Sequence, residues 1–158
     1  MSLTIKEINY DNLDDLKKLE SALKNWFTNP KELNFTDPNM QYPFDMKKWI
    51  NITYKLNEIE TIALSKDDWI IGFAGVKFFE KSKRAHIAQI YLDADHRGKG
   101  YKKQMIDYIE DLGAKKNVKT LSISAMKKDI SARTLYESID YQEVDTKGNV
   151  ITLEKTII

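Results

Sequence analysis

The sequence predicts an α/β fold of the α+β kind, a mixed and mostly antiparallel central sheet of about seven strands with helices on both faces. Three observations lead there. Segments with period-two apolar alternation interleave with segments of helical period. Three strand-like segments between Ile59 and Leu92 follow one another through short polar turns, which makes neighbours antiparallel. A helical segment then separates two further strand-like segments, and such a crossover makes that pair parallel. At 158 residues the chain suits one domain, 1–158, around a single core.

The elements follow in order. Leu3 to Ile8 alternates as a first strand. A helix is expected from about Asp11 to Phe27, with Leu16, Leu19, Leu23, Trp26 and Phe27 on one stripe and Asp14 and Asp15 at its positive end. All three prolines, Pro30, Pro38 and Pro43, fall between Thr28 and Asp45 beside Phe35, Tyr42 and Phe44. That excursion reads equally as a loop held down by its aromatics or as a substrate-pocket wall. Asp45 can cap a second helix from Met46 to about Leu56, with Met46, Trp49, Ile50 and Thr53 on one side. Strands are expected at Ile59 to Ser65, Trp69 to Phe79 and Arg84 to Leu92. The last of these carries apolar groups at both parities, as a central strand covered on both faces would. A third helix is expected from about Gly98 to Lys116, closed by Asn117 in a left-handed conformation. Val118 to Ser124 reads as a strand. A short helix with Ala132, Leu135, Tyr136 and Ile139 on one stripe follows, then a hairpin of Tyr141 to Asp145 and Val150 to Ile157 around Lys147, Gly148 and Asn149.

Composition excludes several functions. With 25 basic and 24 acidic residues the net charge is +1, which argues against coating nucleic acid or an anionic membrane. Cysteine is absent, so no disulfide, thiolate metal site or cysteine nucleophile exists. His86 and His96 are the only histidines, and no spacing suggests a metal centre. The N-terminal segment lacks the apolar core of a signal peptide, and charges interrupt every apolar run before membrane-spanning length. A cytoplasmic protein is expected.

The chemistry concentrates after Leu92. Asp93-Ala94-Asp95-His96 leads into Arg97-Gly98-Lys99-Gly100-Tyr101-Lys102, where a helix opens. Unpaired amides at a helix start, the helix dipole, glycines and nearby lysines together make an anion site; alone, the same residues also describe an ordinary tight turn. Neither the phosphate loop of nucleotide hydrolases nor the three-glycine dinucleotide motif is present.

From the fourth strand to Tyr141 the sequence resembles the GCN5-related N-acetyltransferase (GNAT) family. Ile90-Tyr91-Leu92 matches the family's apolar strand end. Arg97 and Gly100 match its Arg/Gln-x-x-Gly-x-Gly/Ala motif, with Lys102 in place of the last Gly or Ala. Asp129, Ala132 and Tyr136 follow its Asn-x-x-Ala-x-x-x-Tyr, and Asp140-Tyr141 its Gly-Phe. Trp69 to Ala74 is similar to its third strand. The resemblance implies a sheet splayed between strands 4 and 5, and acetyl-CoA as acyl donor. Backbone groups of Ile90, Tyr91 and Leu92 would pair with the pantetheine arm, and the Leu92 amide would polarise the thioester carbonyl. Amides from Gly98 through Lys99, Gly100 and Tyr101 to Lys102 would bind the pyrophosphate, with Asp129 and Arg133 also on the cofactor side.

Tyr136 matches the family tyrosine that protonates the departing thiolate; as a residue it also fits the core stripe of its helix. One branch of the family has a catalytic glutamate eleven residues before the Arg/Gln, and counting back from Arg97 reaches His86. Strand alternation puts His86 on the face of Ala88, Ile90 and Leu92. It can serve as base directly or through water, or be a polar residue at a strand start. Lys102, Asp129 and Asp140 depart from the pattern. The implied function is transfer of acetyl to a primary amine of a small molecule or peptide, with a homodimer compatible and neither nucleic acid nor membrane as partner. The alternative is a catalytically idle CoA-binding sensor or dimerisation module.

Overall fold

The computed structural model describes residues 3–27 and 44–157. The aromatic and proline-rich excursion, Phe44 and Asp45 apart, lies outside the described residues. Seven strands are joined in the order β1-β2-β3-β4-β5-β7-β6: β1 (Leu3–Glu7), β2 (Glu60–Lys66), β3 (Trp69–Phe79), β4 (Arg84–Leu92), β5 (Thr120–Met126), β6 (Gln142–Lys147) and β7 (Val150–Thr156). Among the described residues four helices accompany them: α1 (Leu13–Trp26), α2 (Met46–Trp49, continued as a wide π turn over Ile50–Leu56), α3 (Tyr101–Lys115) and α4 (Ile130–Ser138). β1 and β2, β5 and β7, and β6 and β7 are antiparallel. β4 and β5 are parallel, as the crossover requires. The expected fold class holds.

Contacts group the chain into two compact units, Met1–Gly75 with Gln89–Met105, and Val76–Ala88 with Ile106–Ile158. In the first, Asn12 caps α1 by accepting from the Asp15 amide, and Asp45 caps α2 by accepting from Lys47 and Lys48. Leu19, Leu23, Trp26 and Phe27 pack with Trp49 and Phe73, the stripe that the helical spacing predicts. Asp15 is buried, and its carboxylate takes Lys6 Nζ at 2.6 Å and the Asn9 amide at 3.1 Å. It therefore ties β1 to α1 as well as sitting in the helix's first turn. The β2–β3 connection is a two-residue turn with both residues, Asp67 and Asp68, at positive φ, the conformation that suits a tight hairpin.

In the second unit β5 and β7 bury Leu121, Ile123, Ala125, Ile151 and Leu153, while the intervening Ser122, Ser124, Thr152 and Glu154 are half-buried. Asn117 ends the α3 segment at φ 64°, and Asp140 takes φ 76° after α4. Aspartate's tolerance of that conformation explains why the fold accepts it where the family has glycine.

Two expectations need correction. Helix α3 starts at Tyr101 rather than about Gly98, because Gly98 and Gly100 both adopt φ 78°, which no right-handed helix accommodates. The full cover expected on both faces of β4 is uneven. Ala85, Ile87 and Gln89 are buried, Ile90 and Tyr91 are half-buried in succession, and Leu92 is buried again. Ile90 and Leu92 pack into one cluster and Tyr91 into another, as alternation expects, but only one parity of the strand's first half is fully covered.

Candidate active site

The first unit holds the anion loop. At the end of β4 the Asp93 amide donates to the Ile71 carbonyl at 2.8 Å. A single 3-10 turn, Ala94–His96, follows, with His96 Nδ1 3.2 Å from Asp93 Oδ2. Arg97 then turns back: its Nε donates to the Leu92 carbonyl at 3.0 Å, and its guanidinium lies 5.5 Å from the Tyr91 ring centre. The arginine side chain thus fastens the loop to the strand end. Close packing here also needs Gly72, where a Cβ would fall 3.0 Å from the Tyr91 carbonyl oxygen and 3.1 Å from Leu92.

Gly98 and Gly100 answer a different need. An L-residue at their positive φ costs about 1–2 kcal/mol, yet a Cβ on either would meet nothing within 4 Å. Glycine is there for backbone conformation, and the space beside it is open. The amides of Gly98, Lys99, Gly100 and Tyr101 donate to no main-chain carbonyl among the described residues. They stand at the positive end of a 15-residue helix, a set of donors suited to phosphate oxygens. The Tyr101 side chain is committed to the core beside Leu64, Leu92 and Met105, so only its amide can serve a ligand. Lys99 and Lys103 are exposed and Lys102 is half-buried. Asp93 and His96 also line a cavity of about 910 Å³ with Trp26, Trp69, Lys18 and Asp68; its walls carry both signs and select no charge class.

The second unit holds Tyr136 and His86. The Asp129 carboxylate caps α4 by accepting from the Ala132 amide at 3.0 Å. Arg133 donates to the Lys127 carbonyl at 3.2 Å and lies 3.9 Å from Glu143. Tyr136, one turn on, is 2% exposed, and its hydroxyl has no hydrogen-bond partner among the described residues. Burial first, then the negative charge of Asp129, push its pKa far above that of an ordinary phenol. Tyr136 therefore keeps its proton at neutral pH. Its helix is held from behind: Tyr141 N–H donates to the Tyr136 carbonyl at 3.0 Å, the Tyr141 hydroxyl donates to Glu110 at 2.9 Å, and Lys155 donates to the same carboxylate at 3.1 Å.

The ladder between β4 and β5 runs from Arg84↔Thr120 to Ile87↔Ile123 and ends there. On its half-buried face His86 is bracketed by two serines of β5, with Nδ1 2.7 Å from Ser122 Oγ and Nε2 3.2 Å from Ser124 Oγ. Burial lowers its pKa, which keeps the ring neutral.

A family model described as "Acetyltransferase (GNAT) family" matches residues 21–141. The chain belongs to the GNAT family. Solved structures agree in fold across nearly its whole length. The PaiA N-acetyltransferase of Thermoplasma acidophilum, solved in complex with coenzyme A, is 20% identical with a TM-score of 0.72, covering 99% of each chain. The ribosomal-protein-S18-alanine N-acetyltransferase of Escherichia coli is 18% identical with a TM-score of 0.69, covering 99% of this chain and 94% of that one. The GNAT domain of S. lividans PAT is 12% identical with a TM-score of 0.78, covering 96% and 89%. No curated protein sequence matches. Membership in a GNAT family implies acyl transfer from an acyl-CoA, and no helix among the described residues is long and apolar enough to cross a membrane.

Within the first unit Arg97 binds the Leu92 carbonyl, and within the second Arg133 and Tyr136 lie on the helix that Asp129 caps. Sequence reasoning missed Ser122 and Ser124. Their two-residue spacing in Thr-Leu-Ser-Ile-Ser-Ala was visible, but only the register His86↔Ser122 turns two polar residues of a strand into partners of a histidine.

Proposed function

We propose that this GNAT protein is an N-acetyltransferase that moves acetyl from acetyl-CoA directly to a primary amine of a small molecule or peptide. The observation that carries this reading is the loop with Gly98 and Gly100 at φ 78° and open space at both, because backbone donors at a helix start beside open space suit a pyrophosphate. The residues present fit the cofactor. Amides of Gly98 through Lys102 hold the diphosphate, and Lys99, Lys102 and Lys103 add charge. Main-chain groups of Ile90 and Tyr91 pair with the pantetheine amides. When bound, acetyl-CoA supplies the activated thioester. The Leu92 amide stabilises negative charge on the carbonyl oxygen as the amine attacks, and Tyr136 gives its proton to the departing thiolate. A cytoplasmic location belongs to the same reading.

The departures from the family pattern do not favour the idle module. Asp129 retains the helix cap, Asp140 takes the left-handed conformation, and Lys102 still offers an amide.

The test is thiol release from acetyl-CoA with a panel of amines, for wild type and Tyr136→Phe. Turnover with at least one amine, much reduced in the variant, is expected. Coenzyme A binding without turnover on any amine would establish the sensor instead.

A further inference from the structure

The hydrogen bonds around His86 take a single direction once Ser122 spends its proton on the Ala85 carbonyl. Ser122 Oγ lies 3.4 Å from the Ala85 carbonyl oxygen and donates to it. A hydroxyl has a single proton, so with that assignment the ring is the donor in the 2.7 Å contact with His86 Nδ1. Nδ1 then carries the ring's proton and Nε2 its lone pair. At the 3.2 Å contact with Nε2, the donor is Ser124 Oγ. The chain reads Ser124 O–H to His86 Nε2, His86 Nδ1–H to Ser122, Ser122 O–H to Ala85. Burial alone, with no charged neighbour contributing, keeps the ring neutral. On the same face Arg84, two residues before His86, and Glu154, in register with Ser122, are paired with each other.

Ser124 is the first residue of β5 beyond the last rung of the β4–β5 ladder, Ile87↔Ile123. It is half-buried, and its oxygen has no second hydrogen-bond partner among the described residues. A hydroxyl that has handed its proton toward a neutral imidazole and keeps free lone pairs is a proton acceptor with a reservoir behind it.

We propose that Ser124 Oγ is the atom that takes the proton from the acceptor ammonium, and that His86 is a positioning residue acting through it. This rests on the acyl-transfer reading. As an N–H bond of the ammonium breaks, an O–H bond forms on Ser124, and the serine's original proton passes to Nε2. The products are a neutral amine able to attack, an intact serine and an imidazolium. The positive charge has moved from ammonium to ring, and the ring returns its proton to water after turnover. Ser122 holds the ring in the tautomer that this requires.

Two measurements decide it. The first is kcat/KM against pH, at saturating acyl-CoA, for wild type, Ser124→Ala, Ser124→Thr and His86→Gln. Wild type should show an acid limb below the ordinary histidine range. Ser124→Ala and His86→Gln should each lose about 10- to 100-fold near pH 7, abolish that limb and leave KM for acyl-CoA unchanged, while Ser124→Thr restores most of the rate. The second is the imidazole ¹⁵N spectrum, simple to assign with only two histidines. It should show Nδ1–H in wild type and a mixture of tautomers in Ser122→Ala. A wild-type rate and limb in Ser124→Ala, or an Nε2–H tautomer in wild type, overturns the proposal while leaving acyl transfer standing. Absence of transfer by wild type to any amine overturns both, and the spectrum still reports the hydrogen-bond chain.

Discussion

The loop at Arg97–Lys102 and helix α4 with its cap, Asp129–Tyr136, handle charge by opposite means. The loop uses main chain: exposed amides, a helix dipole and two glycines at positive φ with nothing near them. The helix uses side chains: a buried phenol whose proton is held by burial and by one carboxylate. A site made of backbone is indifferent to most side chains but sensitive to a Cβ where φ is positive. A site made of side chains has the reverse tolerance. Substitutions should therefore act through conformation at one place and through protons at the other.

The largest expected effect lies on the side-chain site. Tyr136→Phe removes only an oxygen with no protein partner among the described residues, so folding stability should hardly change. If the phenol is the acid, kcat falls about 100-fold or more with KM for acyl-CoA unchanged, by steady-state thiol release. An unchanged kcat would reduce Tyr136 to a core residue and remove the contrast.

Next comes the backbone site. Gly100→Ala places a Cβ in open space but at φ 78°, so its cost is conformational, about 1–2 kcal/mol. It should appear as lower denaturant stability or, if the loop relaxes, as roughly tenfold weaker coenzyme A binding by calorimetry. Gly72→Ala is the control of opposite kind. There the φ is ordinary and the obstacle is the Tyr91 carbonyl at 3.0 Å, so the loss, about 1–3 kcal/mol, should be in stability through crowding. Equal behaviour of the two variants would mean that the open space at Gly100 does not matter.

The difference in construction also explains what the sequence disclosed. Strand bounds at Trp69–Phe79 and Arg84–Leu92 were legible because polar turns bracket long apolar runs. The loop was legible because glycine is a backbone statement that survives in one dimension. The helix start at Tyr101 was not, since the sequence does not tell a glycine inside the first turn from one held at positive φ before it. Nor was the uneven cover of β4, because burial depends on what neighbouring elements pack against each face. The Ser122–His86–Ser124 chain needed the register between residues 36 and 38 positions apart. Side-chain sites assembled across strands are written in tertiary pairing, and composition cannot show it.

Alkaline pH sharpens the side-chain half without any substitution. Tyr136 and Tyr141 both have pKa values raised by burial, helped by Asp129 and Glu110 respectively. In the unfolded chain a tyrosine ionises near pH 10, whereas the folded protein retains both protons above that. Their contribution to stability is thus fully present below about pH 10 and is lost as pH rises toward the folded values. The slope approaches about 1.4 kcal/mol per pH unit for each tyrosine. Denaturant unfolding at a series of pH values should show the fall, with about half of it gone in Tyr136→Phe. A flat profile would mean that neither phenol is held as tightly as its burial implies.

The smallest expected effect separates the two jobs of Asp129. Asparagine caps a helix about as well as aspartate, and its carbonyl oxygen can accept from the Ala132 amide as the carboxylate does at 3.0 Å. Asp129→Asn should therefore change stability by only a few tenths of a kcal/mol, whereas Asp129→Ala, which loses the cap, should cost about 1 kcal/mol. Both remove the negative charge beside Tyr136. Since burial is the larger cause of that residue's raised pKa, its titration should move down in both variants yet stay above an ordinary phenol's. Phenolate absorbance, with Tyr136→Phe subtracted, reads the shift. A titration unmoved by Asp129→Asn would assign the held proton to burial alone, and the residue that departs from the family's asparagine would then be a cap and nothing more.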